Sequence, residues 1–298
     1  MSMTLATLVT KYLERQELAS STIRTYESIF IPLLKQYGRW SVEIVDREIL
    51  VEYLNAIKSV KFTTHHKHQA VINALFNFAV EQGYIKSNPI FRLKRRKPDI
   101  NLGEHDSDEE VRYLTPVQLN LLYQAVKQDV RLDALVHLLH SSGARIAEIL
   151  ALDLKDIDTV NRKFQVIGKR NKKRWCFYSE HTSVSLNNYL KYYRHQNISA
   201  LFTAQQQFTN KVSRLSYAAA YKSLVKLIDD IPELSGVCFH QLRHFFGTER
   251  VGLVSIDELR ALMGHEDIQM TLRYSKVTSR RAEEVAQQAF NQIPIYGQ

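Results

Sequence analysis

Two arginines, three histidines, a lysine, a glutamate and a tyrosine are scattered through apolar stretches in the second half of the chain. In SSGARIAEILAL, Arg145 and Glu148 stand three apart at the start of a helical pattern, so they share a face. Ile146, Ala147, Ile149 and Leu150 surround them with apolar residues, and an arginine that is covered needs an anionic partner. A surface ion pair between the two would leave the same pattern. In CFHQLRHFFGT, His240, Arg243 and His244 lie among Phe239, Leu242, Phe245 and Phe246. Three basic groups so close repel one another unless an anion sits between them, and a phosphate would serve. Alternatively, His244 is a satisfied core histidine and Arg243 pairs with a distant acid. LMGHEDIQMTLRYSKV places His265 after a glycine and Tyr274 nine residues later. A phenol is a nucleophile once a base takes its proton, although a lone tyrosine more often simply packs. Lys169, in VIGKRNKKR, sits at a basic hairpin tip, which is usually solvated or touches phosphate without specificity.

Something must hold these groups together, and the elements are legible. FQVIG and RWCFYS read as two short strands about a tight turn, with helical patterns on both sides. Thr115-Pro116-Val117-Gln118 and Ser255 with Glu258 read as capping boxes opening helices, the second ending at Gly264. The first hundred residues read as helices throughout. One is capped by Ser20 or Ser21, carries Ile23, Tyr26, Phe30 and Leu33 on one face, and stops at Gly38. The next is capped by Asp46, and a third runs from about Thr64 to Glu81 before Gly83 and the breaker Asn88-Pro89.

Charge divides the chain in the same way. The 298 residues hold 40 lysines and arginines against 31 acids. Residues 1–97 carry 15 bases and 8 acids, residues 98–110 six acids and no base, and residues 111–298 the remaining 25 and 17. Two basic blocks joined by a short acidic one suit two domains that both meet a polyanion. The boundaries expected are therefore 1–97, an acidic mobile linker over 98–110, and 111–298. The basic run Arg92, Lys94, Arg95, Arg96 and Lys97 is a candidate for phosphate contact, as are His65 and Lys67 at the polar start of the third helix; a solvated surface would read the same. Cys176 and Cys238 form no CxxC pair, which argues against a zinc site or disulfide framework and for buried, reduced thiols. No apolar run approaches the ~20 residues that span a bilayer, and the start of the chain lacks a signal-peptide pattern. The chain is expected to be cytoplasmic, with no membrane partner.

The order of the polar residues carries more than any one of them. Arg145 with Glu148, Lys169, the box His240-Gln241-Leu242-Arg243-His244, Gly264-His265 and Tyr274 resemble, in sequence and spacing, the catalytic signature of the tyrosine recombinases, or phage integrases. The opening STIRTY, NALFNFAVEQG and the following Asn-Pro resemble the family's N-terminal domain. Arg170 stands where the family often has glycine, and Gln241 where an acid is common. The resemblance implies a mainly α fold with a small β-sheet or hairpin in the catalytic domain, arranged as a two-domain DNA clamp. A SAM-like helical core-binding domain would fill residues 1–97 and the catalytic domain residues 111–298.

It also implies site-specific recombination of double-stranded DNA by transesterification, through a 3′-phosphotyrosyl intermediate and a Holliday junction. Rejoining would need no ATP, because the bond energy is kept, and no cofactor or metal is implied, in keeping with a sequence that shows no carboxylate cluster suited to magnesium. Tyr274 would attack phosphorus while Arg145 and Arg243 neutralise the non-bridging oxygens. His240 would accept the phenolic proton, and Lys169 would protonate the leaving 5′-oxygen. Lys172 and Lys173 stand close enough to Lys169 to take that role, and with Arg170 they are also candidate DNA contacts. His265 would bond the phosphate or place Tyr274. Glu148 would hold Arg145, and His244 would support the site from behind. The C-terminal segment, with Val285, Ala286, Ala289 and Phe290 on one helical face, would pack on its own domain or, as in recombinases of this kind, dock on a neighbour in a tetramer on paired sites. No arm-binding domain is evident at the start, which leans toward the Xer-like systems. A type IB topoisomerase or a non-enzymatic DNA-binding protein is the alternative.

Overall fold

Amphipathic helices with periodic apolar faces need partners to cover them, and the chain supplies these in two separate groups. The computed structural model describes residues 3–99, 101, 104, 114–168, 172–206 and 209–274. They fall into two compact units, one within residues 1–110 and one within 111–298.

Among the described residues the first unit contains four α-helices: α1 (Leu5–Leu13), α2 (Ser20–Tyr37), α3 (Arg47–Ala56) and α4 (Phe62–Glu81). Their apolar faces meet in a core that includes Leu8, Phe30, Leu33, Leu50, Leu75 and Phe76. Asp46 caps α3 as expected, its carboxylate accepting from the Ile49 amide at 3.0 Å. Ser20 and Ser21 do not cap α2. They lie inside it, and Ala19 precedes the helix without a side-chain bond.

The second unit is built on α6 (Val130–Ser142), which is buried on nearly every side. An all-round apolar helix belongs in the centre of a fold, and α5 (Pro116–Val126), α8 (Glu180–Asn188) and α10 (Phe239–Arg250) pack around it. Thr115 and Gln118 form the expected capping box on α5. The expected strands are β2 (Lys163–Ile167) and β3 (Lys173–Phe177), antiparallel, with the short β1 (Ile157–Asp158) on the other side of β2. The sequence reading missed β1. It also missed a second sheet of β4 (Thr203–Gln205) and β5 (Val212–Arg214), three-residue strands too short to show a period. Further α-helices among the described residues are α7 (Ile146–Ala151), α9 (Tyr217–Ile228), α11 (Ile256–Met263) and α12 (Gln269–Leu272). Cys176 is buried and Cys238 half-buried, both free. Among the described residues no helix is long and apolar enough to cross a membrane.

Candidate active site

Helix α10 sends Phe239, Leu242, Phe245 and Phe246 into the unit, and Arg243 goes with them, only 2 % exposed. A buried guanidinium needs acceptors, and Arg243 donates to the Gly143 carbonyl at 2.5 Å and the Met263 carbonyl at 2.7 Å. Gly143 closes α6 in the left-handed region, at φ 61°, and Met263 is the last residue of α11. Two helix C-termini, each the negative end of a dipole, thus converge on one cation. Burial, reinforced by Arg145, draws the Arg243 pKa down to about 10, which leaves it charged at neutral pH.

Arg145 begins α7, and Glu148 reaches back to it. One carboxylate oxygen accepts from the Arg145 amide at 2.8 Å, the other from its guanidinium at 3.1 Å. Arg174, on the inner face of β3, grips the same carboxylate with both terminal nitrogens, at 2.9 and 2.7 Å. Burial alone would raise the Glu148 pKa, but Arg174 and Arg145 outweigh it and hold the group ionised. The Arg174 stem lies beneath Gly264, where a Cβ would fall 2.7 Å from its Cδ. Gly264 has φ +63° and ends α11, so the turn that delivers His265 rests on Arg174. The expected pairing of Glu148 with Arg145 is present. Arg174 was not anticipated, though a cation at an inward position of the strand's two-residue alternation was a legible signal.

Tyr274 is buried, with its ring against Gly247; a Cβ there would stand 2.9 Å from the phenyl edge. Its hydroxyl lies 2.8 Å from Nδ1 of His244. The expectation put His240 at the phenolic proton with His244 behind it; in the structure His244 is the histidine bonded to the phenol. Residues 240 and 244 are one helical turn apart, so their rings meet edge to face with centroids 4.3 Å apart, His240 toward solvent. His265 is buried, parallel to the Tyr274 ring at 6.1 Å, and its Nδ1 is bonded to the Thr271 hydroxyl at 2.9 Å.

These groups line a cavity of about 190 Å³, with Arg145, His240, Arg243, His244, His265 and Tyr274 on its walls together with Met270 and Arg273. Burial and the neighbouring cations lower the pKa of all three histidines, of His244 and His265 to about 4. At neutral pH the pocket therefore offers fixed guanidinium charge beside uncharged imidazoles, which suits an anion such as a phosphodiester. A larger cleft of about 480 Å³, lined in part by Lys127, Arg131 and His195, contains none of these residues. Among the described residues no group of histidine, cysteine or carboxylate side chains is arranged to hold a metal ion.

The remaining expected site residues divide. Lys169 and Arg170 lie outside the described residues, as does the C-terminal segment 275–298, while Lys172 and Lys173 are exposed beside the hairpin turn. In the first unit Arg92, Lys94, Arg95, Lys97 and Lys67 are exposed. His65 is not: it is 4 % exposed, with Nε2 bonded to the Leu54 carbonyl at 3.0 Å. It faces the core because it lies on the same side of α4 as Gln69 and Ile72, so the expected DNA contact at His65 is withdrawn. Arg96 is likewise turned inward, paired with Glu104 at 2.7 Å. Glu104, expected in a mobile linker, also accepts from the amides of Phe62 and Asp99 at 2.9 and 3.0 Å, so it is anchored.

Residues 112–281, more than half of the chain and the stretch containing every wall of the cavity, match the phage integrase family. The chain belongs to that family. Tyrosine recombinase XerC of Haemophilus influenzae is 29 % identical over 229 residues, which cover 74 % of this chain and 72 % of the relative. XerC of Herpetosiphon aurantiacus is 26 % identical over 91 % of this chain and 90 % of its own length. The Tn1549 transposon integrase in complex with a circular intermediate DNA superposes with a TM-score of 0.72 at 20 % identity, covering 97 % of this chain and all of that one. A lambda integrase tetramer bound to a Holliday junction gives 0.68 at 17 % identity, over 89 % of this chain and 78 % of that one. The fold is thus that of the phage integrases, and the chain is a tyrosine recombinase of the Xer-like type.

Proposed function

We propose that this recombinase performs site-specific strand exchange with Tyr274 as nucleophile and the 190 Å³ cavity as the seat of the scissile phosphate. The observation that carries the reading is the convergence of Tyr274, Arg145 and Arg243 on that one cavity, backed by Glu148 and Arg174. The phenol attacks phosphorus and the 5′-oxygen leaves, giving a 3′-phosphotyrosyl link. Arg145 and Arg243 stabilise charge gathering on the non-bridging oxygens, a contribution that grows in a buried, pre-organised site. His240 and His265 donate hydrogen bonds to the same oxygens. Lys169 protonates the 5′-oxygen. One ester is exchanged for another, so rejoining needs no external energy.

Residues 1–97 act as the core-binding domain and residues 111–298 as the catalytic domain, together clamping the duplex. Lys67, Arg92, Lys94, Arg95 and Lys97, all exposed, contact phosphates from the first; Arg170, Lys172 and Lys173 do so from the second. Four protomers assemble on paired sites, an arrangement supported by the lambda integrase tetramer among the structural relatives. The test is covalent trapping on nicked suicide duplexes that carry the element's junction. Wild type should give an SDS-stable protein–DNA adduct without added magnesium, and Tyr274→Phe should give none. An adduct that persists in Tyr274→Phe would sink the assignment.

A further inference from the structure

We propose that His244 is the base that takes the phenolic proton of Tyr274 as the phosphotyrosyl bond forms. The inference rests on the reading of Tyr274 as nucleophile. It starts from contact: Nδ1 of His244 is 2.8 Å from the phenolic oxygen. With the O–H donating to Nδ1, the ring carries its own proton on Nε2, the neutral tautomer that a base requires.

The other groups at hand are less well placed. His265 lies face to face with the Tyr274 ring at 6.1 Å, and its Nδ1 is bonded to Thr271. His240 touches His244 edge-on from the solvent side. The guanidinium groups of Arg145 and Arg243 offer donors and no acceptor.

The surroundings of His244 also give the transfer its timing. His240 and Arg243 face it from its own helix, Arg273, His265 and Tyr274 from the chain after α11, and Arg145 lines the same cavity. Burial and these cations keep the imidazole uncharged at neutral pH. A phosphodiester entering the cavity brings a negative charge that offsets the cations and raises the proton affinity of His244 as the phenol must be deprotonated.

In the forward step the Tyr274 oxygen forms its bond to phosphorus and the bond to the 5′-oxygen breaks. The phenolic proton passes to Nδ1 of His244, and the 5′-oxygen takes a proton from Lys169. In the reverse step the 5′-hydroxyl attacks phosphorus and gives its proton back to the Lys169 amine, the phosphotyrosyl bond breaks, and the imidazolium returns its proton to the leaving Tyr274 oxygen.

The experiment is single-turnover adduct formation by the full chain on a nicked suicide duplex, across pH 6 to 9 or so. Three forms are compared: wild type, His244→Asn and His244→Gln, each with tyrosine or a more acidic fluorinated tyrosine at position 274. Asparagine and glutamine can accept the hydrogen bond but cannot take the proton. At neutral pH the His244→Asn rate should fall roughly 100-fold, the lower end of general-base contributions. The loss should shrink as pH rises, and the fluorinated phenol should restore much of the rate. DNA affinity and melting temperature check that both variants fold. A His244→Asn rate within about threefold of wild type with an unchanged pH profile overturns the proposal. So does a loss that neither pH nor the fluorinated phenol repairs in either folded variant, because His244 would then only place the ring. An adduct from Tyr274→Phe overturns the nucleophile assignment itself, a failure distinct from these.

Discussion

Arg174→Met is the substitution whose consequences follow most directly from the structure. Glu148 is 8 % exposed and Arg174 14 %, so the fork between them is a buried ion pair. Methionine keeps the stem under Gly264 and removes the charge. Glu148 then retains only the Arg145 amide at 2.8 Å and guanidinium at 3.1 Å. Removing one partner of a buried pair costs about 3–5 kcal/mol because it strands the other. The surviving contact with Arg145 places the expected loss at the lower end, about 3 kcal/mol, or roughly a hundredfold in the folding equilibrium.

The pH dependence has a definite sign. In the wild type Glu148 is held below its ordinary value, so its stabilising contribution is present above the unfolded carboxylate pKa and lost as pH falls through the folded one. In the variant burial is no longer outweighed, the pKa rises, and the gap from wild type should narrow as pH drops toward about 4. Denaturant unfolding at pH 7 and at about pH 4.5 measures both effects. The double variant Arg174→Met/Glu148→Gln should recover part of the loss, since no buried charge is then stranded. Adduct formation should fall at least tenfold or so in Arg174→Met, because the Glu148 carboxylate that orients Arg145 is no longer itself held by the Arg174 fork. A cost below about 1 kcal/mol at pH 7, with adduct formation unchanged, would refute the claim that Arg174 supports the site.

Gly264→Ala should cost about 2 kcal/mol, combining the strain of φ +63° with a Cβ that lands 2.7 Å from Arg174, and it should slow adduct formation by shifting His265; thermal melting and trapping together check this. Gly247→Ala should separate activity from stability. Alanine favours the helix by up to about 1 kcal/mol, but its Cβ would press within 2.9 Å of the Tyr274 ring, so adduct yield should drop with little loss in melting temperature. Stability should also fall below neutral pH. His265 and His244 are held at about 4 in the fold, against an ordinary value near ~6.5, so between those values the unfolded chain binds more protons. Buried His265 alone should contribute a loss of up to about 3 kcal/mol by pH 4, and His265→Asn should flatten the profile measured by denaturant titration.

The site was legible to the extent that its members announce themselves by type and order. Arg145, Glu148 and Arg243 drew notice as charged groups in apolar segments, which must be satisfied by something, whereas His265 and Tyr274 were singled out only by the order and spacing of the whole set. The capping boxes at Thr115 and Ser255 were readable because a cap is a local contract among four residues. What escaped depends on contacts between residues distant in sequence. His244 meets Tyr274 across 30 positions, and Arg174 meets Glu148 across 26. His65 shows the converse: its polar neighbours suggested a surface, yet its place on α4 turned it inward to Leu54. Both kinds of miss have one cause. A pattern fixes the face on which a side chain lies, while the partner on that face is set by how the helices and strands pack. That distinction bears on the chemistry, because His240 and His244 lie one turn apart on the same helix and differ in reach. It is His244 that the Tyr274 hydroxyl meets, because the chain after α11 delivers the tyrosine to that side of α10.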